Sequence, residues 1–322
     1  MVEELFKGLK ALVIGDVMID AYSKGVVERM SPEAPVPIVS QCSRFERLGG
    51  AANVALNLKA LGAEPLVCSV VGNDDSGQRF IKLMQEQGLE VAGIVSSNVR
   101  RTTVKHRILN GDRQLLRIDD EDLFDLSDME HSILSLLIRR AVKQGDVQVV
   151  VLQDYNKGVL TEQLIREVID LCHENSVPVV VDPKKRNFLA YQGVTLFKPN
   201  AKELREGLGV TAETPEELQQ AMLTLQQRIN CRYLMVTLSD KGVMMLHDGS
   251  FHHIPAFPRN IVDVSGAGDT VLSVAALCVA TNATAEAIAT LSNIAGGLVC
   301  EEVGVVPINM KKFSEEVNRI QS

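Results

Sequence analysis

This 322-residue chain has no C-x-x-C pair, no G-x-x-x-x-G-K-[ST] run and no long apolar segment. Each absence removes a class of function. The six cysteines (Cys42, Cys68, Cys172, Cys231, Cys278 and Cys300) are scattered, so neither a zinc site nor a thioredoxin-like motif is signalled. Isolated thiols inside apolar segments read as small core residues in a reducing compartment. Without the lysine of a P-loop, any phosphate chemistry proceeds by another device. The opening residues, MVEELFKGLKALVIGD, contain no uninterrupted apolar h-region. The longest apolar stretch, Val271–Ala280, runs about ten residues, too short for a bilayer. A net charge of −8 lacks the basic excess of a nucleic-acid binder. A cytoplasmic protein with no nucleic-acid and no membrane partner is expected.

Apolar residues make up 46% of the chain, enough for a sizeable core. Short apolar runs, ALVIG (11–15), PLVCSVVG (65–72), VQVVVLQD (147–154), VPVVVD (177–182), VTLFKPN (194–200) and YLMVTLS (233–239), predict buried strands. Between them lie helical patterns at 75–88, 161–174, from about 201, and 215–229. GGAANVALNLKALG (49–62) places Val54, Leu58 and Leu61 at helical spacing. The alternation predicts an α/β fold, a mostly parallel sheet between two helical layers, with ligands at the carboxyl ends of the strands. Two segments break the rhythm. Residues 17–41 hold MSPEAPVPIVS with its three prolines, and residues 100–119 show partial alternation around an NGD turn. Both are expected in a small β-sheet lid, ordinary edge strands being the alternative. No repeat or linker divides the chain, so 1–322 is read as a single domain.

The stretch PRNIVDVSGAGDTVLSVAALCVA reads as strand, glycine loop and helix. Gly266 and Gly268 let the backbone approach a ligand, and the free N–H groups at the helix start form an anion site. Asp269 is then out of place electrostatically. It either caps the helix or acts as a base beside a phosphate. A dinucleotide fingerprint is excluded, because position 271 is valine and no acid follows at the required distance.

The wider pattern adds to this. GGAANVALNLKALG followed by PLVCSVVG, GD at 15–16, NAKE (200–203), DVSGAGD and NIAGG (293–297) resemble, in order, the signatures of the ribokinase-like (PfkB) sugar-kinase family. The resemblance covers essentially the whole chain. Within the family, RMSPEAPVPIV, ERLGGAANVALNL, TVKHRI, QLLRID, DYNKG and DPK look like the heptose 7-phosphate kinases of bacterial ADP-heptose synthesis. No G-x-F-D-x-x-H-x-G-H stretch follows, so a stand-alone kinase working beside a separate nucleotidyltransferase is expected.

The resemblance implies ATP-dependent phosphorylation of the anomeric hydroxyl of D-glycero-D-manno-heptose 7-phosphate. Asp269 would take the hydroxyl proton, with the N–H groups of Gly266, Ala267 and Gly268 stabilising the transferring phosphoryl group. Asn200 and Glu203 would organise Mg²⁺ through water; N-x-x-E is equally the spacing of a capping box, and the two roles are compatible. Asp16, Asp20, Gly49, Gly50 and Asn53 are candidates for the sugar hydroxyls. Lys105, Arg107, Arg117, Lys157, Lys184 and Arg186 are candidates for the substrate phosphate. Thr237, Gly242 and Asn293 fall where the family binds the nucleotide, and Asp263, Ser265 and Gly304 where many members hold a monovalent cation such as K⁺. A homodimer through the lids is expected. Two departures stand out: Val264 replaces the usual threonine, and Glu301 and Glu302 lie where relatives often carry a base. Another sugar or sugar phosphate, or a non-catalytic sugar or nucleotide sensor, are the competing readings; an intact Asp269 argues against the sensor.

Overall fold

Apolar runs that end in glycine, glutamine or aspartate become the strands of a nine-stranded sheet. The computed structural model describes residues 2–144 and 146–321. Its strands are β1 (Lys10–Gly15), β2 (Val17–Met30), β3 (Pro37–Gly50), β4 (Glu64–Gly72), β5 (Ile94–Ser97), β6 (Val104–Asn110), β7 (Arg113–Asp120), β8 (Val149–Gln153), β9 (Val179–Asp182), β10 (Leu196–Phe197), β11 (Tyr233–Thr237), β12 (Val243–His247) and β13 (Ser250–Ile254). Its helices are α1 (Val2–Phe6), α2 (Ala51–Ala60), α3 (Asp75–Glu86), α4 (Asp128–Gln144), α5 (Glu162–Glu174), α6 (Ala201–Leu208), α7 (Pro215–Ile229), α8 (Ala267–Ala280), α9 (Ala285–Val299) and α10 (Met310–Gln321).

The main sheet runs β13-β12-β11-β10-β9-β8-β1-β4-β5, parallel except for the antiparallel β11-β12-β13 edge. Alternate residues of β1 go to opposite faces, as the two-residue period of a strand requires. Ala11 and Val13 join the core beneath α2, α8 and α9, while Leu12 and Ile14 join the core beneath α4, α5 and α7. Val13, Leu12 and Ile14 each contribute about 1.5–3 kcal/mol on burial. Helix α8 is apolar all round and almost wholly buried, as that composition demands. Among the described residues no helix is long and apolar enough to cross a membrane.

The second sheet, β3-β2-β6-β7, forms the expected lid. Its first arm reaches Gly50 rather than residue 41, because β3 continues through SQCSRFERL, a polar run that carries no buried alternation. Gly49 and Gly50 therefore close a strand, and α2 starts only at Ala51. A second difference concerns the approach to α8. Residues 255–266 form no strand, and the N–H groups of Val262 and Asp263 donate to the Cys300 carbonyl at 2.8 and 3.2 Å. That apolar run is exposed along a cavity instead, with Ile261, Val262 and Val264 all more than half open. Five cysteines are buried, and Cys42 is exposed on the lid.

Candidate active site

The carboxyl ends of β1, β8, β9 and β10 meet the N-terminus of α8 beneath the lid. Gly266 is the N-cap of α8 at φ 80°, a left-handed conformation that favours glycine. A Cβ there would stand 3.0 Å from Asn53 Nδ2. Asp269 sits three residues further, on the first turn, and makes no cap hydrogen bond. Its carboxylate points inward: Oδ2 accepts from Asn53 Nδ2 at 2.7 Å and Oδ1 from the Tyr155 hydroxyl at 2.8 Å. Burial pushes its pKa up to about 6; the Asn53 and Tyr155 donors pull the other way, Asp182 adds to the rise and Lys198 opposes it. A carboxylate titrating there is matched to proton acceptance near neutrality. The geometry thus removes the capping reading and keeps the base. The N–H of Ala267 is partly engaged with the Val264 carbonyl, at 3.3 Å.

Around this carboxylate stand groups that the sequence did not single out. Asp182 ends β9 and pairs with the buried Lys198, just after β10, at 2.9 Å. Its other oxygen, Oδ1, is buried with no hydrogen-bond partner and lies 3.8 Å from Lys184 Nζ. Lys184 also contacts Glu203, and these carboxylates hold its pKa above the usual lysine range despite burial. Asn200 and Glu203 form a complete capping box at the start of α6. Both Glu203 oxygens are therefore occupied, one by the Asn200 N–H at 2.9 Å and the other by Lys184. Among the described residues no three His, Cys, Asp or Glu side chains converge on one point. The set suits a divalent ion that keeps most of its water, with the free Asp182 oxygen as its open protein acceptor.

Asp16, expected at the sugar hydroxyls, has another task. It is 1% exposed, and its oxygens accept the backbone N–H groups of Tyr155, Lys157 and Val159 at 2.8, 3.0 and 3.0 Å. Burial raises its pKa against those three donors. Asp16 anchors the 155–159 loop, with Oδ2 accepting two of these N–H groups and Oδ1 one. Asp20, also buried, pairs instead with Arg107 across the lid. A Cβ on Gly49 would stand 2.2 Å from Asp20 Oδ2, so glycine leaves room for that carboxylate. Gly50 lies against the Asp16 backbone.

Lys105 and Lys157 meet at Glu121, at 3.5 and 2.6 Å, and Lys105 also lies 3.3 Å from Asp119. Arg117 shares Asp119 with Lys105, while Arg186 points elsewhere, to Asp125 on the exposed surface. Asp263 draws Ser265 and Gly304 together, accepting both N–H groups at 2.9 Å. Burial raises its pKa, but those donors outweigh it and hold the carboxyl below its usual range. The flanking carbonyls of Val303 and Val305 accept from Arg47 of β3 at 3.0 and 2.9 Å.

A cavity of about 740 Å³ opens beside Gly268, lined among others by Asn200, Thr237, Gly242, Ile261 and Asn293. Val264, 66% exposed, forms part of its apolar wall. Asn293 lines it too, but its amide donates to the Pro255 carbonyl at 2.8 Å and ties α9 to the preceding loop. Gly242 packs against the end of β13. Glu301, at one of the two departures, lies 3.4 Å from Arg259. A comparable cavity of about 790 Å³, near Gln148, His173 and Asn230, lies at the opposite end of the sheet and contains none of these groups.

A buried carboxylate at a helix N-terminus, beside a cavity of about 740 Å³ and under a charged lid, suits a phosphotransferase acting on an alcohol. Residues 9–312 match the model of the pfkB family carbohydrate kinases, and the chain belongs to that family. Kinases of this family use ATP and a divalent metal. The chain is 38% identical over 310 residues to the bifunctional protein HldE of Syntrophotalea carbinolica, covering 96% of this chain and 63% of that protein. It is 39% identical over 314 residues to the bifunctional protein HldE of Geobacter sulfurreducens, with 96% and 63% covered. It thus spans less than two thirds of these relatives. Phosphofructokinase-2 from Escherichia coli in complex with potassium superposes with a TM-score of 0.82 at 16% identity, over 98% of this chain and 100% of that one. Arabidopsis thaliana ribokinase complexed with ribose and ATP gives 0.74 at 19%, over 95% and 98%. These two likenesses show the fold.

Proposed function

We propose that the protein transfers the γ-phosphoryl group of ATP to the anomeric hydroxyl of D-glycero-D-manno-heptose 7-phosphate, giving the 1,7-bisphosphate for ADP-heptose synthesis in the cytoplasm. The observation that carries the reaction is the buried Asp269 held between Asn53 and Tyr155, next in the chain to Gly268 of the cavity wall. The heptose assignment rests on the subgroup runs in the sequence and on the similarity to HldE proteins over 96% of the chain. As the hydroxyl oxygen bonds to the γ-phosphorus, its proton passes to Asp269 and the bond to the β-phosphate oxygen breaks, releasing ADP. The N–H groups at Gly266–Gly268 face the developing charge. Mg²⁺ would neutralise phosphate charge, and the open Asp182 oxygen would hold one of its waters, Glu203 being engaged by the capping box and Lys184.

Lys105 and Lys157 are the proposed partners of the substrate phosphate, because Glu121 already holds their ammonium groups together and a phosphate dianion suits the same pair. Asp20 and Arg107 face the sugar. The Asp263–Gly304 loop is the proposed place for K⁺, tested by comparing turnover in potassium and tetramethylammonium salts. Val26, Phe45, Leu116 and Ile118 are exposed on the lid, and a second copy is proposed to cover them in a homodimer, tested by light scattering.

The decisive experiment is ATP consumption over a panel of sugar phosphates. Heptose 7-phosphate is expected to give the highest kcat/KM; a hexose phosphate or ribose surpassing it overturns the substrate, and no substrate above background with ATP still bound overturns the enzyme. The kcat profile is expected to fall on the acid side with an apparent pKa near 6, because Asp269 accepts a proton only when ionised.

A further inference from the structure

We infer that Tyr155 is a positioning residue for phosphoryl transfer: its hydroxyl holds the Asp269 carboxylate in one orientation and in its ionised form. The inference rests on the reading of Asp269 as the base. Two donors from separate parts of the chain grip that carboxylate, Asn53 of α2 on Oδ2 at 2.7 Å and Tyr155 on Oδ1 at 2.8 Å. Two donors on opposite oxygens fix the carboxylate plane, and each oxygen keeps a lone pair for an incoming hydroxyl.

The donor itself is held with equal care. Tyr155 belongs to a short loop after β8 whose N–H groups at 155, 157 and 159 all donate to the buried Asp16. One carboxylate thus fixes the loop that fixes the other. The phenol remains a donor across the working pH range, since burial and the neighbouring Asp269 push its pKa well above the usual value. The other charges facing the base are Asp182 and Lys198 at the ends of β9 and β10, with Lys184 beyond them, 5.6 Å from the Tyr155 ring centre. Asp182 opposes ionisation of Asp269 and Lys198 favours it, so among these groups the neutral donors Asn53 and Tyr155 are the ones that also orient it. Tyr191 makes a similar bond to the buried Asp154, at 2.6 Å, away from Asp269, and provides an internal control.

The test compares Tyr155→Phe, Tyr191→Phe and Asp269→Asn by kcat against pH at saturating ATP and sugar phosphate. Loss of a hydrogen bond to an ionised group is expected to lower kcat about tenfold at pH 7 and to move the acid limb of Tyr155→Phe upward by roughly one pH unit. Both KM values are expected to stay within about twofold, because Tyr155 acts through Asp269. Placing 3-fluorotyrosine at 155 strengthens the donor and is expected to shift the limb the opposite way, which keeps the inference testable should the phenylalanine variant fold poorly. An unmoved limb with unchanged kcat, a rise in sugar KM alone, or an equal limb shift in Tyr191→Phe overturns it. Failure of the base reading looks different: Asp269→Asn would then turn over like the parent. A dead Asp269→Asn with an unmoved Tyr155→Phe limb removes only the role of Tyr155.

Discussion

At the strand ends of the main sheet, Asp16, Asp154 and Asp269 are buried against neutral donors: backbone N–H groups, phenols and an amide. On the lid, Lys24, Arg101, Lys105 and Arg117 are each matched by a carboxylate close to solvent. The first arrangement shifts proton affinities, and both Asp154 and Asp269 are pushed up to about 6, burial being the main cause in each. The second leaves its ion pairs near water, where partners can exchange. Proton transfer is thus proposed for the buried layer and recognition of a charged substrate for the solvent-facing one, a division that follows from how each handles water.

The sharpest break of this comparison is Asp269→Asn. Turnover is expected to fall by about 10²–10⁴ while the fold persists. The same change is expected to stabilise the protein at neutral pH. The folded pKa of about 6 lies above the ordinary 3.8, so the contribution of this group to stability is full below the lower value and lost as pH rises through the upper one. Removing the buried charge recovers on the order of 3 kcal/mol above pH 7 and nothing near pH 4, read from thermal melts at both. Next comes the lid. Lys157→Met is expected to raise KM for the sugar phosphate by about 10–100-fold and to leave KM for ATP unchanged, in steady-state assays. Equal losses for a sugar without phosphate would remove the proposed contact. Asp16→Ala leaves three backbone donors of the 155–159 loop without their acceptor and is expected to cost about 3 kcal/mol in urea unfolding. The smallest effect is expected from Lys24→Gln, whose partner Asp112 is exposed: within about 1 kcal/mol. A larger loss there would show that the lid does not follow surface rules.

Much of the main sheet was legible because its strands are short apolar runs with punctuating ends. Helix α4 was not, since its buried stripe of Leu134, Ile138 and Val142 is blurred by exposed Met129, Ile133 and Leu136. The run before α8 reads as a strand by composition yet lines a cavity, and a cavity wall and a core strand call for the same side chains. In the site, Asp269 and its glycines were readable because loop and helix are contiguous. The anchoring of the 155–159 loop by Asp16 was not legible, because a strand-end carboxylate turned beneath a loop is spelled like one facing a ligand. Tyr155 stands in the DYNKG run, but it lies 114 residues from Asp269 and nothing local ties that run to the carboxylate. Asp182 and Lys198 end β9 and β10, so the rule that ligands collect at strand ends was the signal available for them.

The lid's use of Gly49 bears on how this cleft can change. Its missing side chain is the space that Asp20 fills: a Cβ at 49 would stand only 2.2 Å from Asp20 Oδ2. Any other residue at 49 displaces Asp20, and with it the partner of Arg107. A mutational walk toward a new sugar is therefore closed at this position and must start among the cations across the cleft, where partners can be exchanged one at a time.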